Sequence, residues 1–142
     1  MPLSLKQYTT QISQLGKAKR WEEAMLALYE MRGHGIQPDN ISYNATISAC
    51  EKGQQWEWAL QLLEQMRGQG VRPDVMSYSA TISACEKGQQ WEKALQLLEQ
   101  MRGQGVQPDV ISYSASISAC RMGQQWEKAL QLLEQMLSLI HI

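Results

Sequence analysis

Apolar positions in this chain fall into two helical stripes that return at a fixed interval. Within residues 40–74, Tyr43, Ile47 and Cys50 stand at i, i+4 and i+7, which is one face of a helix and predicts a first helix over 41–52. Trp56, Ala59, Leu60, Leu63 and Met66 make a second stripe and predict a second helix from about 55 to 67. Asp39 or Ser42 is placed to cap the first helix, and Gly53 is expected to end it. Glu57 in the first turn and Arg67 in the last turn of the second helix complement its dipole. Gly68 and Gly70 then break the chain ahead of Val71-Arg72-Pro73-Asp74, and proline cannot continue a helix interior. Both connections are short, so the two helices should pack as an antiparallel hairpin.

The hairpin is copied along the chain. Trp21, Trp56, Trp91 and Trp126 are 35 residues apart, as are Tyr8, Tyr43, Tyr78 and Tyr113, and Pro38, Pro73 and Pro108. Residues 40–74 and 75–109 differ at 5 of 35 positions: Asn40/Val75, Ile41/Met76, Asn44/Ser79, Trp58/Lys93 and Arg72/Gln107. A period of this length marks a solenoid, in which stacked units share a core that no single unit can close. The fold expected is therefore an all-α solenoid of four helix–turn–helix units, at 5–39, 40–74, 75–109 and 110–142. The first unit is divergent and cap-like, with Lys6, Gln7, Thr10, Gln11 and Gln14 on its first helix. The last follows the pattern through Met136 and then turns apolar over 137–142, which reads as a truncation or assembly scar in place of a polar cap.

Composition narrows the function little. The formal charge of −1 gives no overall basic signal, so a nucleic-acid partner must be held by a local stripe. No apolar run is long enough to span a membrane. Residues 1–20 are basic and free of acids, like an organelle transit peptide, but Tyr8 and Lys17 are in register with Tyr43 and Lys52. That segment is assigned to the first unit, and any targeting peptide would lie upstream. Cys50, Cys85 and Cys120 are also 35 apart. Equivalent stacked helices stand roughly 8–10 Å apart, beyond the about 7 Å that a disulfide bridges, and the spacing is unlike a zinc site. They read as buried free thiols. Only His34 and His141 are present, and no Ser/His/Asp, Cys/His or zinc-deaminase arrangement is found, so no enzyme, metal or cofactor is expected.

The 35-residue period, the Tyr early in the first helix, the Gly between helices, the Ala-Leu pair in the second helix and the closing Gly-x-x-Pro-Asp resemble pentatricopeptide repeats over residues 5–142. The resemblance implies a right-handed superhelix with the first helices lining its concave face. It also implies sequence-selective binding of single-stranded RNA, in mitochondria or chloroplasts, in RNA processing, stability or editing, with one base read per repeat. Carried onto matching positions, the base-reading pairs are Thr9 with Asp39, Asn44 with Asp74, and Ser79 with Asp109, while Ser114 lacks a second member. The resemblance assigns uracil to Asn/Asp and guanine to Thr/Asp or Ser/Asp. Ile41, Met76 and Ile111 would flank the bases, with the atypical Lys6 at the first site. Lys17, Lys52 and Lys87, with Arg121 standing in beside Met122, would track the phosphates.

Each assignment has a plainer alternative. The three Asp residues serve equally as helix caps, and the lysines as dipole partners at helix C-termini, with Glu51 and Glu86 beside them reducing any positive potential. The repeated Trp residues lie on the apolar stripe and read as core. Trp58 lies off it and reads as an exposed chance substitution. A protein-binding scaffold is the alternative to RNA binding, and no small-molecule substrate is expected.

Overall fold

The computed structural model describes residues 3–140. They form eight helices and no strand: α1 (Leu5–Lys17), α2 (Trp21–Gly33), α3 (Asn40–Lys52), α4 (Trp56–Gly68), α5 (Val75–Lys87), α6 (Trp91–Gly103), α7 (Val110–Met122) and α8 (Trp126–Ile140). The helix starts expected from sequence are met within one residue. Asp39, Asp74 and Asp109 each cap a first helix in a reciprocal box with Ser42, Ser77 or Ser112, and Ser4 does the same for α1 with Gln7. Tyr8, in register with Tyr43, is buried on α1.

Stacking is uneven between the two layers. The odd-numbered helices pack directly on one another, α1 on α3, α3 on α5 and α5 on α7. Among the described residues no Cα of α2, α4, α6 or α8 lies within 8 Å of another of the four, and only long side chains reach across, as Arg102 does to Gln135; each packs on its own partner, and α2, α4 and α6 also pack on the next odd-numbered helix. A close-spaced layer backed by a splayed one bends the array, so the odd-numbered helices form the inner layer. The shared core runs the length of the chain through Tyr43, Ile47, Cys50, Leu63 and Met66 and their copies, except Leu133, which is exposed in the last unit. Leu62, outside the anticipated stripe, is also buried. Leu60 and the Trp residues 21, 56 and 91 are only partly buried.

The role of Gly53 differs from the one expected of a helix-ending glycine. Its φ is −84°, an ordinary value, and the left-handed residue that turns the chain is Gln54 at φ 58°. Gly53 is needed for space: a Cβ there would lie 2.4 Å from Cδ1 of Trp21. Gly88 meets Trp56 and Gly123 meets Trp91 in the same way, each at 2.2 Å. The Trp residues are thus wedges between repeats, each laid on the backbone of the next unit. Ala18, at the equivalent place in the first unit, is exposed.

The ends are unlike. Lys6, Gln7, Thr10, Gln11 and Gln14 are all exposed on α1. At the other end α8 runs two residues beyond the common 13-residue length, to Ile140, and Leu137 and Leu139 on its last turn are exposed. Trp126 is 58% exposed there. The rest of the anticipated tail, including His141, lies outside the described residues. All three cysteines are free and buried. Burial pushes the Cys50 and Cys85 thiols up to about 12, and raises Cys120 as well. Thiolate is the reactive form, so at neutral pH a thiol reagent should label none of them in the folded chain and all three in denaturant. Rapid labelling before unfolding would contradict this burial.

Candidate nucleic-acid interface

The candidate pair residues of the inner layer gather at the N-terminal ends of the odd-numbered helices. The loop that closes each hairpin brings its last residue, an Asp, to the start of the next odd-numbered helix, where it caps. That position also faces the fifth residue of the preceding odd-numbered helix. Asn44 donates through Nδ2 to Oδ1 of Asp74 at 3.0 Å, and Ser79 donates through Oγ to Oδ1 of Asp109 at 3.0 Å. Two of the three pairs anticipated from sequence are therefore joined directly. Each of these Asp residues caps a helix and accepts from the neighbouring side chain at once, so capping does not preclude the pairing.

The other members stand differently. Thr9 turns its hydroxyl to the carbonyl of Leu5 at 2.9 Å and makes no bond to Asp39, although both border one hollow with Lys6 and Ile41. Ser114 is exposed, with only the thioether of Met136 at 3.9 Å. Ser79 is itself buried and Asn44 half-buried, so the Asn pair presents more of its amide to a ligand.

The Asn44 pair is the more elaborate. Ser77 lies 2.6 Å from Oδ1 of Asn44, and Asn40 donates to Oδ2 of Asp74 at 3.2 Å. Asn40 was not anticipated as part of the site; the sequence signal was its being one of the few positions where 40–74 and 75–109 differ. Burial works against the charge on Asp74, but hydrogen bonds from Ser77, Asn44 and Asn40 outweigh it and hold the carboxyl below its ordinary value. Asp109 is lowered too: burial opposes its charge, and Ser112 and Ser79 overcome it. Because both titrate lower folded than unfolded, they stabilise the array above the ordinary carboxylate range. That stabilisation is lost as pH falls through their depressed values. Asp74→Asn with Asp109→Asn should flatten the fall in melting temperature on acidification; an unchanged acid limb would contradict the bonds.

Beside the pairs, Ile41, Met76 and Ile111 are 59%, 65% and 59% exposed. Three large apolar side chains held in water at one repeat position are not core. At the far ends of the same helices, roughly 12 Å along at eight residues' rise, Lys17, Lys52, Lys87 and Arg121 are exposed. They are not equivalent. Lys87 makes an ion pair with Glu51 of the preceding unit. The residue that stands to Lys52 as Glu51 stands to Lys87 is Gly16, so Lys52 has no such carboxylate facing it.

This chain belongs to the pentatricopeptide repeat family. The pentatricopeptide repeat domain matches in three overlapping stretches, residues 2–53, 26–88 and 61–123, and the single repeat matches residues 111–139. Among solved structures, the chain is similar to the pentatricopeptide repeat protein PPR10 in complex with an 18-nt psaJ RNA element, at 29% identity and TM-score 0.84. That match covers 95% of this chain and 20% of the other. The structure of PPR10 from maize matches at 22% identity and TM-score 0.83, over 95% of this chain and 19% of that one. The chain thus spans about a fifth of the length of these PPR10 structures. The PPR domain of Arabidopsis thaliana protein-only RNase P 1, in complex with tRNA, shares the fold at 15% identity and TM-score 0.85, over 99% of this chain and 74% of that one. A search of curated protein sequences gives no match. Among the described residues no helix is long and apolar enough to cross a membrane.

Proposed function

We propose that this array binds single-stranded RNA along its inner layer and reads bases through the polar pairs at the helix starts. The observation that carries the reading is the direct bond of Asn44 to Asp74 and of Ser79 to Asp109. A carboxylate fixed by its own capping role orients a neighbour that still has donor or acceptor capacity to spare. Asn44 uses one of its two amide protons on Asp74, leaving the other for a base edge. Ile41, Met76 and Ile111 supply apolar surface against which bases lie. Lys52 is the strongest phosphate contact, with Lys17 on the preceding unit, Lys87 on the next one reduced by Glu51, and Arg121 beyond it.

In this reading the four units at 5–39, 40–74, 75–109 and 110–142 form part of a larger organellar factor in RNA processing, stability or editing. This stretch binds and does not catalyse. Thr9 with Asp39 is a weak first site, since the two are not bonded, and Ser114 has no carboxylate paired with it among the described residues. A likeness to RNA-bound PPR10 at 29% identity favours RNA over a protein-binding scaffold.

The direct test is Asn44→Ser. Serine at this place reproduces the Ser79–Asp109 bond, so the fold should hold and the melting temperature should barely move. The preferred nucleotide opposite this repeat should shift from uracil toward guanine in a binding series varying one base. Equal binding of all four bases before and after the change removes Asn44 from the site.

A further inference from the structure

On the outer layer the Cα atoms of α2 and α4 stay more than 8 Å apart, and the space between them holds a hollow of about 310 Å³ lined by Trp21, Glu22, Met25, Leu26, Tyr29 and Trp58. Three of these positions are polar in the repeats that follow. Leu26 stands where Gln61, Gln96 and Gln131 stand, Tyr29 where Glu64, Glu99 and Glu134 stand, and Trp58 where Lys93 and Lys128 stand. Trp58 is one of only five differences between residues 40–74 and 75–109, and it meets Leu26 and Tyr29 of the divergent first unit in one hollow. Leu26 is 67% and Tyr29 40% exposed, so the change is presented to solvent.

The other repeats show what this place on the Trp ring attracts. Lys93 holds its ammonium over Trp56 at 5.8 Å, and Lys128 holds its own over Trp91 at 5.1 Å. Each ring takes a cation from the next unit, the ring face being its negative side. At Trp21 the residue that would bring the cation is Trp58, which instead adds a second indole. Tyr29 adds a third ring. Glu22 lies at the rim and, among the described residues, makes no ion pair, while the neighbouring Arg20 is held by Glu23 at 3.7 Å.

We infer that the α2–α4 hollow is a docking site for a lysine side chain of a partner protein, taken between Trp21 and Trp58 with Glu22 at its rim. The site replaces an internal lysine with an external one. Leu26 and Tyr29 cover the apolar stem and a flanking apolar residue, since lysine buries its methylenes while its head stays polar. The site lies on the layer opposite the polar pairs and stands independently of RNA binding.

The test uses the full chain and the blocked peptide acetyl-Leu-Lys-Leu-amide, with its ε-acetylated form as the uncharged comparison, followed by the indole N–H resonances. The charged peptide should move the Trp21 and Trp58 signals; the acetylated one should bind about tenfold more weakly. Trp58→Lys installs the residue that two other repeats already carry, so the chain should fold, and it should abolish peptide binding while leaving RNA affinity unchanged. In the converse direction, Gln61→Leu, Glu64→Tyr and Lys93→Trp together should create a second site at Trp56. Equal binding of the two peptides, retained binding in Trp58→Lys, or indole shifts caused by single-stranded RNA and not by the peptide would each overturn the inference.

Discussion

Gly88→Ala is expected to lower the stability of the array by about 1–3 kcal/mol, the usual cost of forcing a methyl group into a filled space. The new Cβ would stand 2.2 Å from Cδ1 of Trp56, and the nearest atoms are the ring itself, not the free end of a flexible chain. The indole must leave its place, and with it goes contact between two consecutive units. Trp56→Ala should itself destabilise, by exposing the seam. In that background Gly88→Ala should cost almost nothing, because the atom it strikes is gone. A double-mutant cycle in chemical denaturation measures this coupling. Additive losses would mean that Gly88 serves only the turn, which its φ of −87° already argues against.

Asp74→Ala carries the second large effect, because it removes two functions at once. The α5 N-cap is lost, at about 1 kcal/mol, and Asn44 loses the carboxylate that orients it. Both melting temperature and base preference should fall. Asp74→Asn separates the two, since Asn is also a good cap. It should keep most of the stability yet change the preference of that repeat, because the Asn44 amide then faces another amide in place of a charge. If Asp74→Asn binds every base as the native chain does, Asp74 is a cap and nothing more.

Much of this architecture was legible because periodicity is a global signal. The Trp, Tyr and Pro registers placed every helix, and the Pro-Asp closure placed the caps. Contacts that cross between units were less legible. Gly53 looks like a helix terminator in sequence, yet its reason is an indole 32 residues earlier, and a packing demand of that kind leaves no local pattern. The Trp residues were expected as core for the same reason; their half-burial follows from a wedge position that exists only once units stack. At the interface, the Asn44 and Ser79 pairs were anticipated through the family pattern. The Thr9 pair does not close because the Thr9 hydroxyl is taken by its own helix, a competition typical of threonine in helices. The ion pair of Lys87 with Glu51 also lay beyond reach, since it depends on which residues of successive helices face each other.

Three repeats carry both residues of a candidate pair, two of them bonded, and base stacking contributes roughly 1–3 kcal/mol each, so this stretch should reach about micromolar affinity at best. The most direct measurement is the affinity of the chain for short single-stranded RNA, titrated from low to high salt, with Lys52→Glu and Lys87→Glu measured beside it. Weak binding that falls steeply with salt is predicted, because phosphate contacts release counterions. Lys52→Glu should weaken it for every sequence, and more than Lys87→Glu does, because Glu51 already neutralises Lys87. Absence of RNA binding at low salt, or affinity indifferent both to salt and to the charge at Lys52, would contradict the inner layer as an RNA-binding surface.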